Sequence, residues 1–161
     1  MANEEIKAAR AKKAYSDLCT HLDAIGLKYT RHDDDKVITL IMNGDDLPME
    51  IVLAVRERHE VIQLLSYIRP KAPEDKRIDA AIAVNVANYD IVYGSFDYDI
   101  SDGEICWRAT LPYCDSAITK EQVYYLVMAS AAAIDRYNDK FLMLNKGMMT
   151  LEQFIANKDA E

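Results

Sequence analysis

The sequence predicts an α+β domain whose antiparallel sheet combines a three-strand meander with a hairpin, the elements running α-β-β-β-α-β-β-α. Three observations carry that expectation. The apolar period switches from 3.6 to 2 after Gly26, the segments joining the first strong strands are too short for parallel crossovers, and residues 73–105 pass from a nearly all-apolar helix straight into a hairpin.

Residues 3–25 read as an amphipathic helix. Ala8, Ala11, Tyr15, Leu18, Leu22 and Ile25 recur at spacings of three and four, while Glu4, Lys7, Lys13 and Asp17 fall elsewhere. Gly26 supplies the left-handed position that ends it. A short strand at 27–31 and stronger ones at 36–42, 49–56 and 61–68 follow. Their connections, 43–48 and 57–60, are shorter than the roughly dozen residues of a parallel crossover, so the neighbours are antiparallel. In the middle strand Met49, Ile51, Leu53 and Val55 share an apolar face, opposite Glu50, Val52, Ala54 and Arg56. Helices are expected to cover the apolar side.

Pro73 stands at a first helical position, with Glu74 and Asp75 complementing the dipole, and the helix is expected to reach about Tyr89. Its interior, residues 80–87, is apolar almost all round. Asn85 falls among the stripe Ile78, Ile82, Val86 and Tyr89. It reads as a core amide with satisfied hydrogen bonds, since an unsatisfied one costs about 1–3 kcal/mol, with ligand binding as the alternative.

Asp102-Gly103 fits a two-residue type I′ turn. That register sets Ile100 opposite Ile105, Tyr98 opposite Trp107 and Phe96 opposite Ala109 on the core side. It sets Asp97 opposite Arg108 and Asp99 opposite Cys106 on the other. Thr119 and Gln122 then form a capping box for a long helix carrying Val123, Leu126, Ser130, Ile134, Tyr137, Phe141 and Leu144. Residues 145–147 stop it, and Thr150 with Gln153 caps a short terminal helix with Leu151, Phe154 and Ile155. No repeat or linker divides the chain, so residues 1–161 read as one domain.

Composition excludes several functions. The net charge is −8, and the first thirteen residues are +2, leaving −10 for the rest, which offers no positive stripe for a phosphate backbone and makes nucleic acid an unexpected partner. Cys19, Cys106 and Cys114 show no C-x-x-C spacing and read as reduced thiols. The N-terminus lacks an apolar signal region and no apolar run approaches the roughly 20 residues of a membrane span, so a cytoplasmic protein with no membrane partner is expected.

Residue patterns point to little chemistry. Asp97, Asp99 and Asp102 invite a metal reading, but a calcium loop beginning at Asp97 would need Gly and Glu where Asp102 and Arg108 stand. The acidic stretches at 33–35 and 44–46 read as turns. His21, His32 and His59 have no second ligand at metal spacing, and no phosphate-binding loop, dinucleotide fingerprint or serine elbow occurs; Ser95 after Gly94 reads as a strand entry. No metal or cofactor is expected. Ten tyrosines serve either the core or an interface.

With the elements in place, the chain resembles the YbjN family of bacterial domains, whose fold is that of the type III secretion chaperones. The residues that carry the resemblance are those at 73–77, 80–85, 94–99, Asp102-Gly103 and 137–141. The resemblance implies a YbjN-like α+β domain that binds or regulates other proteins, often as a homodimer, with no catalytic residues to carry over. The leading expectation is therefore a non-enzymatic interaction module, a chaperone-like or regulatory adaptor, presenting its sheet and tyrosine-rich helices to a peptide or to a second copy. The alternative is a small-molecule-binding protein or an enzyme using Asn85, Tyr89, Asp97, Asp99 and Arg108 in a cleft between central helix and hairpin.

Overall fold

The computed structural model describes residues 2–89 and 91–158. Helix α1 (Ala2–Ile25) ends where the spacing predicts: Gly26 takes φ +82° and donates its N–H to Leu22 at 3.1 Å. Strands β1 (Thr30–His32), β2 (Val37–Asn43), β3 (Pro48–Arg56) and β4 (Val61–Ile68) follow as an antiparallel meander. After helix α2 (Arg77–Asn88) come β5 (Ser95–Asp99) and β6 (Glu104–Pro112), then α3 (Lys120–Asn145) and α4 (Leu151–Ala156). The six strands form one antiparallel sheet in the order β1-β2-β3-β4-β6-β5.

Alternation in the strands decides the layers. Ile38, Leu40, Ile51, Leu53, Ile62, Leu64, Ile105 and Trp107 are each at most 5% exposed and meet the helices, whereas Ile41, Glu50, Tyr67 and Arg108 on the opposite face are exposed. Both predicted capping boxes form, at Thr119 with Gln122 and at Thr150 with Gln153. They place the aromatic block, where Phe96, Trp107, Phe141 and Phe154 pack with centroids 5.0 to 5.3 Å apart.

Three elements depart from the sequence reading. The first strand is shifted to Thr30–His32. The central helix begins later: Pro73 is extended, residues Glu74–Lys76 make a single 3-10 turn, and the α-helix starts at Arg77. Its buried face is also a different one. Ala80, Ala83, Val84 and Ala87 face the core, whereas Ile78, Ile82 and Asn85 are exposed. Small side chains let α2 approach β5 and α3 closely, and the crowded interior has no room for the isoleucines. The amide of α2 that is hydrogen-bonded is the half-buried Asn88 instead of Asn85. Its Nδ2 donates to Phe96 O at 2.9 Å and its Oδ1 accepts the Phe96 N–H at 2.8 Å, which ties the helix end to the edge strand.

The hairpin register is two residues from the predicted one. Phe96 pairs with Trp107, Asp97 with Cys106, Tyr98 with Ile105 and Asp99 with Glu104, so the loop is Ile100 to Gly103 and not a two-residue turn. The Asp99 carboxylate accepts the Ser101 N–H at 2.8 Å, and Gly103, at φ +80°, donates its N–H to Asp99 O at 2.8 Å. These bonds favour the longer loop. A shift of two preserves the facing of every side chain, so Phe96, Tyr98, Ile105 and Trp107 keep to the core while Ile100 moves into the exposed loop.

One further feature is unpredicted. The β3–β4 ladder runs only from Val52–Leu65 to Arg56–Val61, although β2 pairs with β3 back to Pro48 and β6 pairs with β4 out to Ile68. The sheet therefore splits at one end.

Candidate functional site

The five candidate polar residues are divided by the sheet. Asp97 and Arg108 lie on its outer face as a two-pronged ion pair, Nε to Oδ2 at 2.8 Å and Nη2 to Oδ1 at 3.0 Å. The pair is diagonal across the strands, and both side chains are nearly half exposed, so it contributes below about 1 kcal/mol. Asp99 is taken up by the hairpin loop. Its bonds from the Ser101 hydroxyl and then the Ser101 N–H hold its carboxyl below the usual range. Asn85 and Tyr89 belong to α2 behind the sheet, where Tyr89 is 83% exposed and its ring lies 5.8 Å from the Lys158 ammonium.

Other titratable groups are likewise engaged structurally. Asp102 bonds to Lys71, which keeps its carboxyl low. Tyr15 donates to Asp33 at 2.9 Å and Arg31 Nε does so at 2.8 Å, fixing the β1–β2 turn. Burial pushes the Cys106 thiol up to about 11 and raises that of Cys19, so neither offers a thiolate near neutral pH. Among the described residues no three His, Cys, Asp or Glu side chains are placed to hold a metal ion, and no helix is long and apolar enough to cross a membrane.

The outstanding surface is apolar. Ile78 is 64% exposed, Ile82 42% and Tyr89 83%, at positions that share one side of α2. Val92 and Tyr93 continue it in the loop at 82% and 58%. Tyr93 stands edge-on to Tyr125 of α3 at 4.8 Å, and Tyr124 and Tyr125 are themselves about half exposed. Large apolar groups thus turn outward from a helix that buries its alanines. Ala80, Ala83 and Ala87 at spacings of three and four carried the signal for this orientation. The side chain sizes in the competing stripe obscured it.

Together, a one-layer antiparallel sheet backed by helices and a helix with an outward apolar face define an α+β scaffold without a clustered polar site among the described residues. The family model YbjN, described as "Putative bacterial sensory transduction regulator", matches residues 15–143, and the chain belongs to that family. The description is of a regulator. Among solved structures, "Crystal structure of YbjN, a putative transcription regulator from E. coli" superposes with a TM-score of 0.57 at 15% identity, covering 81% of this chain and 90% of that one. At that identity the likeness speaks for the fold. No curated protein matches the chain.

Proposed function

We propose that this chain is a non-enzymatic regulatory module that acts by binding protein through the outward face of α2, a second copy of itself being the partner that the family resemblance favours. The observation that carries this reading is the orientation of α2, with Ile78, Ile82 and Tyr89 exposed over a buried alanine face. An isologous contact across a two-fold axis would bring the same stripe from two copies together and remove it from water. Burying apolar area of this kind stabilises by about 25 cal/mol per Å² before the costs of association. The family's description as a regulator supports the same class.

Light scattering on the eluting protein tests it. Wild type is expected to run as a dimer, and the Ile78→Glu/Ile82→Glu double variant as a folded monomer with the wild-type circular dichroism spectrum, because neither side chain is part of the core. A wild-type monomer that also retains no protein lost by the double variant contradicts the reading.

A further inference from the structure

The split between β3 and β4 leaves main-chain groups of both strands facing an opening. Val55 donates its N–H to Lys36 O at 3.0 Å across β2–β3, so the even residues of β3 turn their main-chain groups toward β4. Tyr113 donates to Glu60 O at 3.0 Å on the β6 side, so the odd residues of β4 turn theirs toward β3. Continuing the register beyond Val52–Leu65 would make Glu50 and Tyr67 the next hydrogen-bonded pair, and the ladder stops before it.

Helix α3 anchors the segments that flank the two strand ends. The loop before β3 is fixed by Asp45 N–H donating to Asp135 at 3.0 Å, and the end of β4 by Asn145 Nδ2 donating to Pro70 O at 2.9 Å. Asp135 and Asn145 are ten residues apart, about 15 Å along a helix. Paired strands lie about 4.8 Å apart, so a strand added between β3 and β4 needs their ends about twice that far apart, a span shorter than that between the two anchors.

The opening has a volume of about 390 Å³, with Pro48, Met49 and Ile68 at its sides and Ile134, Asn138 and Leu142 of α3 at its floor. Asn138 is 5% exposed, and its Nδ2 makes no hydrogen bond among the described residues. Its Oδ1 accepts the Asp139 N–H at 2.7 Å. An acceptor entering the opening would satisfy this buried amide donor.

We propose that the gap between β3 and β4 takes one extended peptide segment of a partner protein. The peptide completes the ladder with Glu50 on one side and Tyr67 on the other, lays an apolar side chain against Ile134 and Leu142, and gives an oxygen to Asn138 Nδ2. This is strand addition, made inside a sheet instead of at its rim. An aliphatic chain would cover the same polar main-chain groups without bonding them, which argues for a peptide over a lipid. The proposal rests on the protein-binding reading above but uses a different surface.

The test uses peptides enriched on the wild-type protein from a phage-displayed library of random decapeptides, synthesised with a fluorescein label and titrated by anisotropy. Glu50→Pro removes an N–H that faces the gap and no bond to β2. Asn138→Leu removes the unpaired amide N–H together with the Oδ1 that accepts from Asp139, and gives a second reading of the gap if Glu50→Pro melts early. Each is expected to weaken binding about tenfold or more, while Ile78→Glu/Ile82→Glu binds as wild type. A library that enriches nothing, or peptides that bind both gap variants undiminished, overturns the proposal. Peptides lost only by the α2 double variant overturn it too, and leave the α2 reading standing.

Discussion

Replacing Gly103 with alanine is expected to lower stability by about 3 kcal/mol, the sum of two costs that fall on one Cβ. A left-handed conformation costs an L residue about 1–2 kcal/mol, and Gly103 sits at φ +80°. The added carbon would stand 2.1 Å from Ala72 O, a main-chain atom that cannot swing aside. Forcing it away strains a segment whose Ala72 N–H donates to Gly103 O at 2.8 Å, an overpacking cost of about 1–3 kcal/mol. Gly26 and Gly147 serve as controls, because both have positive φ and nothing within 4 Å of an added Cβ. In urea titrations Gly103→Ala should show a midpoint shifted well below that of either control with an unchanged slope. Equal shifts for all three would show that the contact with Ala72 has no energetic role.

Trp107→Ala is expected to cost about 3–5 kcal/mol, the usual range for deleting a fully buried large aromatic. Trp107 is 0% exposed and meets Phe96 edge-on at 5.0 Å, and a Cβ on Gly94 would lie 2.6 Å from its ring. The backbone closes so tightly over the indole that the cavity left by alanine cannot collapse. With total stability of about 5–15 kcal/mol for an ordinary domain, such a variant is marginal near body temperature. Trp107→Phe should cost far less, because it keeps a ring in place and removes an indole N–H that is buried without an acceptor. Circular dichroism melts separate the two. A Trp107→Ala protein that melts as wild type would refute the claim that the Trp107 ring fills a site unable to collapse around its loss.

The contrast between what was and was not legible follows the physics of each element. Helices α1 and α3 were readable because one apolar stripe of large residues alternates with charge, leaving a single way to face the core. Only Ala8, near the start of the α1 stripe, proves exposed. The strands of the meander were readable because their period of two and their short connections admit one arrangement. The hairpin was readable in facing but not in register, since a slip of two residues leaves every side chain on its side and the choice falls to loop bonds at Asp99 and Gly103. Helix α2 misled because apolar residues surround it: size favours Ile78 and Ile82 for burial, while close approach to β5 demands alanine. The opening between β3 and β4 left no local signal, because the segments flanking it are tied to Asp135 and Asn145, distant in sequence from both strands.

The same contrast applies to the candidate site. Asp97 and Arg108 were read as a pair and are one, although by a diagonal contact. Asn85 and Tyr89 could be joined to them only by supposing that α2 and the outer sheet face meet, and the alternation of Phe96 inward and Asp97 outward puts a layer of sheet between. What remained hidden was the surface itself, which follows from the facing of a single helix.

A photo-reactive phenylalanine analogue placed at position 82 tests the central claim most directly, because it reports what touches the outward face of α2 in the intact protein. Irradiation is expected to join that position to a second copy of the chain or to one discrete partner, and the same analogue at Glu121, exposed in the first turn of α3, to neither. No adduct at position 82, or adducts as abundant and as varied at Glu121, would contradict the account.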